Sequence, residues 1–325
     1  MPTSPLSNEI TPQTLVIHCH RDAVRARLAR SEHVRAGRGS ISWQLNREIV
    51  VVAGWGRAIL LQLAHPSVAA GVHQHSSFRG GMGSGFARLR STISAMLAIT
   101  FGDTEEVVAA AAGINAIHDR VRGHVPPSPR LRRTSPPMAP RGETEVYSAH
   151  DPGLQQWVHA TLLDSLPLTY EHLVGPISAR ERDRYCQEAA IMEPLLGIPA
   201  GRLPRNTADL DRYMREMLDS GRLVVTDTSR ALARAMLFPP KWYLMWPLFR
   251  VVQLVTIGSL PSSIREAYGF EWRARDARAL ARWTRFVRVA RRFLPPFARE
   301  WPMARRHAPN DPAHLSNLKK VKIGG

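Results

Sequence analysis

The stretch that decides the fold is Asp103–Gly123, DTEEVVAAAAGINAIHDRVRG. Asp103 can cap a helix that begins near Thr104, because its side chain can accept a hydrogen bond from a backbone amide of the first turn. Apolar side chains then recur at three- and four-residue spacing, which indicates a helix with one buried face. His118 falls on that apolar face, and we expect Gly123 to end the helix. The stretch therefore predicts a helix that carries a histidine at a core position.

The same periodicity recurs along most of the chain. Strand-like alternation is almost absent, with Arg222–Thr226 as a weak candidate. No glycine-rich nucleotide-binding loop and no nucleophile elbow occurs, so nucleotide-binding and α/β-hydrolase folds are disfavoured. These features predict an all-α protein built as a single large helical domain. The segments with helical spacing are 46–64, 86–101, 105–122, 153–172, 178–195, 207–219, 228–237 and 274–293.

Three stretches lack this periodicity. Arg79–Gly85 is rich in glycine and predicts a flexible connection. His124–Gly142 contains six prolines and predicts an irregular surface insert. Pro295–Gly325 is rich in proline and basic residues and predicts an extended tail. The predicted organisation is an N-terminal extension (1–40), a main domain (41–275) with an insert at 124–142, and a basic helix with a tail (276–325).

The composition is that of a globular protein with a basic surface. The chain has 325 residues and a formal net charge of +17, which favours anionic partners such as phospholipid or nucleic acid. Cys19 and Cys186 form no disulfide framework, and His18-Cys19-His20 is a weak metal motif, since adjacent strand residues point to opposite faces. With no visible secretion signal and no uninterrupted apolar run of ~20 residues, we expect a cytoplasmic protein.

Three helical positions are candidates for chemistry. His118 is either a core histidine bonded to a backbone carbonyl or a ligand for a haem iron, which needs a buried neutral imidazole. Arg88 and Thr92 lie one turn apart on a face with apolar residues, where the guanidinium needs an anion such as a carboxylate or a haem propionate. His159 lies at the edge of an apolar face, and packing is its expected role.

Several short motifs, in this order, resemble one family over roughly residues 40–275. The family comprises the latex-clearing proteins, which are rubber oxygenases, and the MpaB-type haem-dependent oxygenases. The motifs are Leu63-Ala64-His65-Pro66, Arg88-Leu89-x-x-Thr92, Phe101-Gly102, His118-x-x-Val121-x-Gly123, Tyr147-x-Ala149-x-Asp151-Pro152, Trp157-Val158-His159-Ala160-Thr161-Leu162, Leu196-Gly197-Ile198-Pro199 and Arg265-x-x-Tyr268-Gly269.

The resemblance implies a helical fold with a globin-like core that binds haem b. By resemblance, His118 is the proximal iron ligand, and Arg88 and Thr92 lie beside the haem. The implied activity is oxidation of an apolar or aromatic small molecule with O2 or peroxide, with an electron donor as a further partner. His159 and His75 are the alternative ligands if His118 is not.

Two departures from the rubber-cleaving branch disfavour polyisoprene as the substrate. Ser91 stands where that branch has a lysine able to cap the iron, and no Asp or Glu lies between Glu48 and Asp103 to serve as its acidic base. A proton acceptor in this region would be His65, His73, His75 or water. We take His75, with Arg88 and Thr92, as the candidate catalytic residues.

Two further hypotheses come from other classes. A haem-binding sensor without turnover would use the same His118. A peripheral membrane or nucleic-acid-binding protein would use the helix at 274–293, which is predicted to be amphipathic. We expect one side to carry Arg275, Arg278, Arg282, Arg285, Arg288 and Arg292, and the other Leu280, Trp283, Phe286, Val287 and Ala290. The alternative for this helix is an apolar face packed on the core with a solvated arginine face. Too few exposed aromatic residues alternate with charge to favour nucleic acid.

Overall fold

The computed structural model describes residues 12–32, 37–75, 82–126, 145–238 and 246–306. Helices dominate these ranges and confirm the all-α prediction. In chain order they are α1 (Pro12–Arg30), α2 (Ile41–Asn46), a 3-10 helix (Ile49–Val52), α3 (Ala53–Leu63), α4 (Pro66–His75), α5 (Met82–Phe101), α6 (Thr104–His118), α7 (Pro152–Leu173), α8 (Ala179–Ala189), α9 (Met192–Leu196), α10 (Thr207–Asp219), α11 (Asp227–Leu237), α12 (Trp246–Gly258), α13 (Ser262–Tyr268), α14 (Ala274–Phe293), α15 (Pro296–Arg299) and α16 (Pro302–Arg306).

The centre of the fold is the contact between α3 and α7. Leu60 and Leu61 of α3 and Trp157 of α7 are completely buried in the largest apolar cluster. On its other side α3 packs against α12, where a methyl group added at Gly56 would overlap the side chain of Thr256. Glycine therefore permits the close approach of these two helices, and α3 lies between α7 and α12.

Helix α6 begins as predicted but ends earlier. Asp103 accepts a hydrogen bond from the amide of Glu106, whose side chain in turn accepts from the amide of Asp103, so the two form a capping box. The helix ends at His118 rather than at Gly123. Gly123 instead belongs to strand β1 (Arg122–His124), which pairs antiparallel with β2 (Val146–Ser148). The helix ends here because the backbone that follows pairs with β2 instead of continuing the helical hydrogen bonds.

The predicted strand at Arg222–Thr226 was wrong. Val224 donates one backbone hydrogen bond, of 2.8 Å, to the carbonyl of Ala64 at the end of α3. A single bond to a helix end fixes an extended segment but forms no ladder, which a strand requires.

Some regions for which no helix was predicted are helical. His18-Cys19-His20, interpreted above with strand geometry, lies within α1, and Met82 already begins α5 inside the glycine-rich stretch. The predicted tail contains α15 and α16, and Ala304 is buried. Most of the predicted insert, residues 127–142, and the end of the tail, residues 307–325, lie outside the described residues.

The two predicted flanking regions both pack on the main domain. Helix α1 lies along α6, and α14 lies against α12 and α7. The segment before α16 is joined to the start of the fold by a backbone bridge between Glu48 and Glu300 and by a 3.0 Å hydrogen bond from the amide of Trp301 to the carbonyl of Arg47. The predicted domain boundaries stay predictions.

Within the described ranges no single helix has the length and apolar character needed to cross a membrane. Two successive segments, Ile49–Leu63 and Pro66–His75, meet that requirement only when taken together, and they are bent by 108°.

Candidate functional site

A cavity of about 100 Å³ lies between α2, α5, α7 and α8. Its wall is mainly apolar, with Met96 and Leu97 from α5 facing Leu162 and Leu163 from α7. Trp301 closes one side. Seven polar side chains interrupt this apolar wall, and groups of this kind typically fix the orientation of a bound ligand. They are Ser42, Asn46, Glu48, Thr100, His159, Tyr185 and Glu188.

His159 is the histidine among these lining residues. It lies in the second turn of α7, a helix that Asp151 caps by accepting a hydrogen bond from the amide of Leu154. The side chain is buried, and burial, with a smaller contribution from the neighbouring His118, lowers the pKa of His159 to about 4. The imidazole is therefore neutral near pH 7 and able to act as a ligand.

His118 is the last residue of α6 and is close enough to His159 to affect its pKa. Its Nδ1 atom is buried and has no hydrogen-bond partner within the part of the chain that the structure describes. Burial, followed by the effect of His150, lowers the pKa of His118 to about 4. Two neutral imidazoles from α6 and α7 are thus brought together, although their spacing in the sequence does not show it.

His118, with its unpartnered nitrogen, fits the role of a haem-iron ligand, and the neutral His159 is the alternative. A buried imidazole nitrogen without a partner is costly, and a bond to a metal would satisfy it. The described residues contain no cluster of three or more His, Cys, Asp or Glu side chains arranged to hold a metal ion. A haem iron needs no such cluster, because the porphyrin supplies the remaining nitrogen ligands and the protein adds one axial ligand.

Two carboxylates line the cavity, and sequence reasoning missed both as site residues. Glu48 is 1% exposed and accepts hydrogen bonds of 2.8 and 2.6 Å from Nε and a terminal nitrogen of Arg291 on α14. Glu188 accepts from the amides of Ile41 and Ser42 at the start of α2, at 3.3 and 2.8 Å. A glutamate directly before the apolar run that begins at Ile49 was the available signal for Glu48.

The other predicted site residues lie elsewhere. Thr92 is exposed on α5, next to Ile93 in the cavity wall, while the side chain of Arg88 lies outside the described residues. His75 is exposed at the end of α4, with Nε2 3.1 Å from the carbonyl oxygen of Arg122 in the hairpin. The structure therefore brings His118 and His159 together, and it places His75 against the hairpin rather than in the cavity wall.

His65, at the end of α3, resembles His118 in its unpartnered nitrogen and its lowered pKa. It is buried, its Nδ1 has no partner among the described residues, and burial with the nearby Arg222 lowers its pKa to about 4. It does not line the cavity.

The amino-acid sequence is similar to those of known proteins. Two curated mycobacterial relatives, Uncharacterized protein Mb2261 of Mycobacterium bovis and Uncharacterized protein Rv2237 of Mycobacterium tuberculosis, are each 26% identical over 244 residues, which is 73% of this chain and 87% of theirs. No solved structure gives a significant match. The family model described as "ER-bound oxygenase mpaB/B'/Rubber oxygenase, catalytic domain" matches residues 43–292, which include His118 and His159. Because this match covers well over half of the chain, the protein belongs to the MpaB and rubber oxygenase catalytic-domain family.

Proposed function

We propose that this protein is a haem b-dependent oxygenase that oxidises an apolar or aromatic small molecule. The family supports an oxygenase catalytic domain, and the haem, the substrate class and the ligand are the proposal. The observation that carries it is the buried, neutral imidazole of His159 in the wall of an apolar cavity, with the half-buried, neutral imidazole of His118 close enough to affect its pKa. Such a pair would offer one nitrogen to hold the haem iron and a second nitrogen for a proton or hydrogen bond nearby.

Each residue has a proposed role. His118 would hold the haem iron, Arg88 would bind a propionate by charge-assisted hydrogen bonds, and Thr92 would donate a hydrogen bond beside the haem. When bound, haem supplies the redox chemistry with O2 or peroxide. The apolar cavity wall excludes water and binds the substrate, with electrons supplied by a separate donor.

We assign proton transfer to the histidines. His159 faces the cavity, and its low pKa means that it is unprotonated near pH 7 and can accept a hydrogen bond from a substrate hydroxyl. His75, the candidate base from the sequence, is exposed and could exchange protons with solvent. We place the protein in the cytoplasm, with peripheral contact to an anionic membrane.

The test is the absorption spectrum of the protein expressed with ample haem supply, alone and as the His118→Ala, His159→Ala and His73→Ala variants. We expect a Soret band that shifts with dithionite and CO, that is lost in His118→Ala and that persists in His73→Ala, where an exposed histidine of α4 is removed. Loss in His159→Ala alone would move the ligand to α7. A wild-type protein that never takes up haem would overturn the proposal.

A measurement of substrate turnover distinguishes an oxygenase from a haem-binding sensor. O2 consumption by the reduced haem protein, measured with a panel of apolar aromatic compounds, is expected to rise with at least one of them. Reversible O2 binding without consumption across the panel would favour the haem-binding sensor instead.

A further inference from the structure

The orientation of α14 is fixed by contacts along one of its faces. Leu280 and Val287 pack against the apolar cluster formed by α3, α7 and α12. Arg291 pairs with the buried Glu48, and Arg288 donates to the carbonyls at the end of α7. Two of the arginines therefore belong to the inner face of this helix.

The division of faces predicted from the sequence was therefore wrong in part. Phe286 was grouped with Leu280 and Val287 on the apolar side, but it is 61% exposed. Arg288 was assigned to the arginine side, but it donates to backbone carbonyls of α7. Long arginine side chains can turn back to reach carbonyls, which hydrophobic spacing alone does not show.

The outward face of α14 exposes a cluster of large apolar side chains. Phe286, Val289 and Phe293 follow one another at helical spacing, and Leu294 and Phe297 extend the cluster past the end of the helix. Phe293 is 83% and Phe297 is 67% exposed. Three water-facing phenylalanines in one short segment are unusual on a monomeric surface and typically mark a contact with another partner.

Exposed arginines flank this cluster. Among the described residues no carboxylate forms an ion pair with any of them. Their charge is therefore available to an external anion, on a chain whose formal net charge is +17. These residues are Arg278, Arg282, Arg285 and Arg292.

We propose that this outward face of α14, together with Phe297, docks on an anionic lipid bilayer. An amphipathic helix of this kind lies in the membrane interface, where apolar side chains enter the acyl region and arginines bind phosphate headgroups. Leu294 and Val289 have no role in stacking on bases, which disfavours nucleic acid as the partner. Residues 307–325 of the same chain are also disfavoured, because their three lysines would bring like charge to the arginines.

This surface is separate from the haem proposal. Neither the phenylalanines nor the flanking arginines line the cavity. Vesicle binding can therefore be measured on the protein without haem, so that a failure here leaves the oxygenase proposal untouched, and the reverse also holds.

The test is co-sedimentation of the full chain with vesicles of phosphatidylglycerol and phosphatidylcholine in equal amounts, and with phosphatidylcholine alone. Three variants are compared with the wild type. The first is Phe293→Ser with Phe297→Ser, and the second is Arg282→Gln, Arg285→Gln and Arg292→Gln. The third, a charge-matched control, changes exposed arginines on other faces: Arg180→Gln, Arg215→Gln and Arg222→Gln.

We expect binding to the anionic vesicles that weakens with salt. The serine variant should bind about 100-fold more weakly, at roughly tenfold for each phenylalanine removed from the acyl region. Each arginine replaced in the second variant should weaken binding to the anionic vesicles about fivefold. The charge-matched control should bind at least tenfold more tightly than the second variant. Urea midpoints close to that of the wild type would show that all variants fold.

Three results would overturn the proposal. Equal loss of binding in the second variant and the charge-matched control would show that net charge, and not this face, attracts the vesicles. Full binding by the serine variant would show that the phenylalanines do not enter the membrane. A further variant lacks residues 307–325. If it binds the vesicles more strongly than the full chain, that segment is a competing occupant of the face, which would also contradict the proposal.

Discussion

The imidazole rings of His118 and His150 meet edge to face, with their centroids 5.7 Å apart. His150 is in turn held by Asp119, whose Oδ1 lies 2.8 Å from His150 Nε2 and whose Oδ2 lies 2.7 Å from His20 Nε2 on α1. The carboxylate next to the candidate ligand therefore positions the ring beside it and links α1 to the end of α6.

Replacing Asp119 should loosen this link. We expect Asp119→Asn to lower the free energy of unfolding by about 1 kcal/mol, a modest loss because the carboxylate is partly exposed and solvent screens it. Urea unfolding at pH 7 measures the change. Asp22→Asn is the matched control, since Asp22 on α1 pairs only with Arg25 among the described residues and is 78% exposed. An equal loss in both variants would contradict the role of Asp119.

Three histidines whose pKa is lowered in the folded protein should make stability depend on pH. Burial holds the pKa of His65, His118 and His159 at about 4 in the folded protein, below their unfolded value. Between about pH 6.5 and pH 4 the unfolded chain binds more protons than the folded one, so the free energy of unfolding should fall as pH falls through this window.

Urea denaturation of the haem-free protein between pH 7 and pH 4.5 measures this dependence. His159→Gln removes one of the three groups and should give a shallower loss relative to its own value at pH 7. His73→Gln, which changes an exposed histidine, should keep the wild-type slope. Identical slopes in all three proteins would show that other groups control the dependence.

The pair formed by Glu48 and Arg291 should be sensitive to loss of one partner. Arg291→Met leaves the carboxylate of Glu48, which is 1% exposed, without its bidentate donor, and we expect a loss of about 3–5 kcal/mol in unfolding free energy. The double variant Glu48→Gln with Arg291→Met has no buried unpaired charge and should recover part of the loss. A double variant no more stable than Arg291→Met would contradict this account.

The contact between α3 and α12 should tolerate no added methyl group at Gly56. Gly56→Ala would overlap Thr256, and we expect it to destabilise the fold by about 1–3 kcal/mol. Thr256→Ala opens the space, so the double variant should be more stable than Gly56→Ala alone. Gly113→Ala is the control, because a methyl group there meets no atom within 4 Å. Thermal unfolding of the four proteins measures these differences.

Local patterns predicted most of the helices and the cap at Asp103, because capping and helical spacing depend only on neighbouring residues. The end of α6 at His118 was not predictable in this way. It depends on the pairing of β1 with β2, which lies more than twenty residues further along the chain. Helix α1 was missed because few of its residues are buried; Val24 is fully buried, and Arg27 donates to the carbonyl of Pro194 in α9.

The candidate site was predictable only in pieces. His118 was identified from its helical face, with the resemblance giving it a role, whereas His159 was expected to serve in packing. That His159 lines a cavity with Glu48 and Glu188 depends on how three separated segments fold together. The ion pair of Arg291 with Glu48 was likewise not predictable from local patterns, since the two residues are 243 positions apart in the sequence.

Trp301 closes the cavity, and its amide bonds to Arg47 at the start of the fold. A ribosome makes Arg47 long before Trp301, and the wall stays incomplete until the later residue has left the exit tunnel. The complete wall therefore forms only after residue 301 has emerged and folded onto the segment at Arg47, so a ligand that needs contact with the whole wall binds after that point of translation.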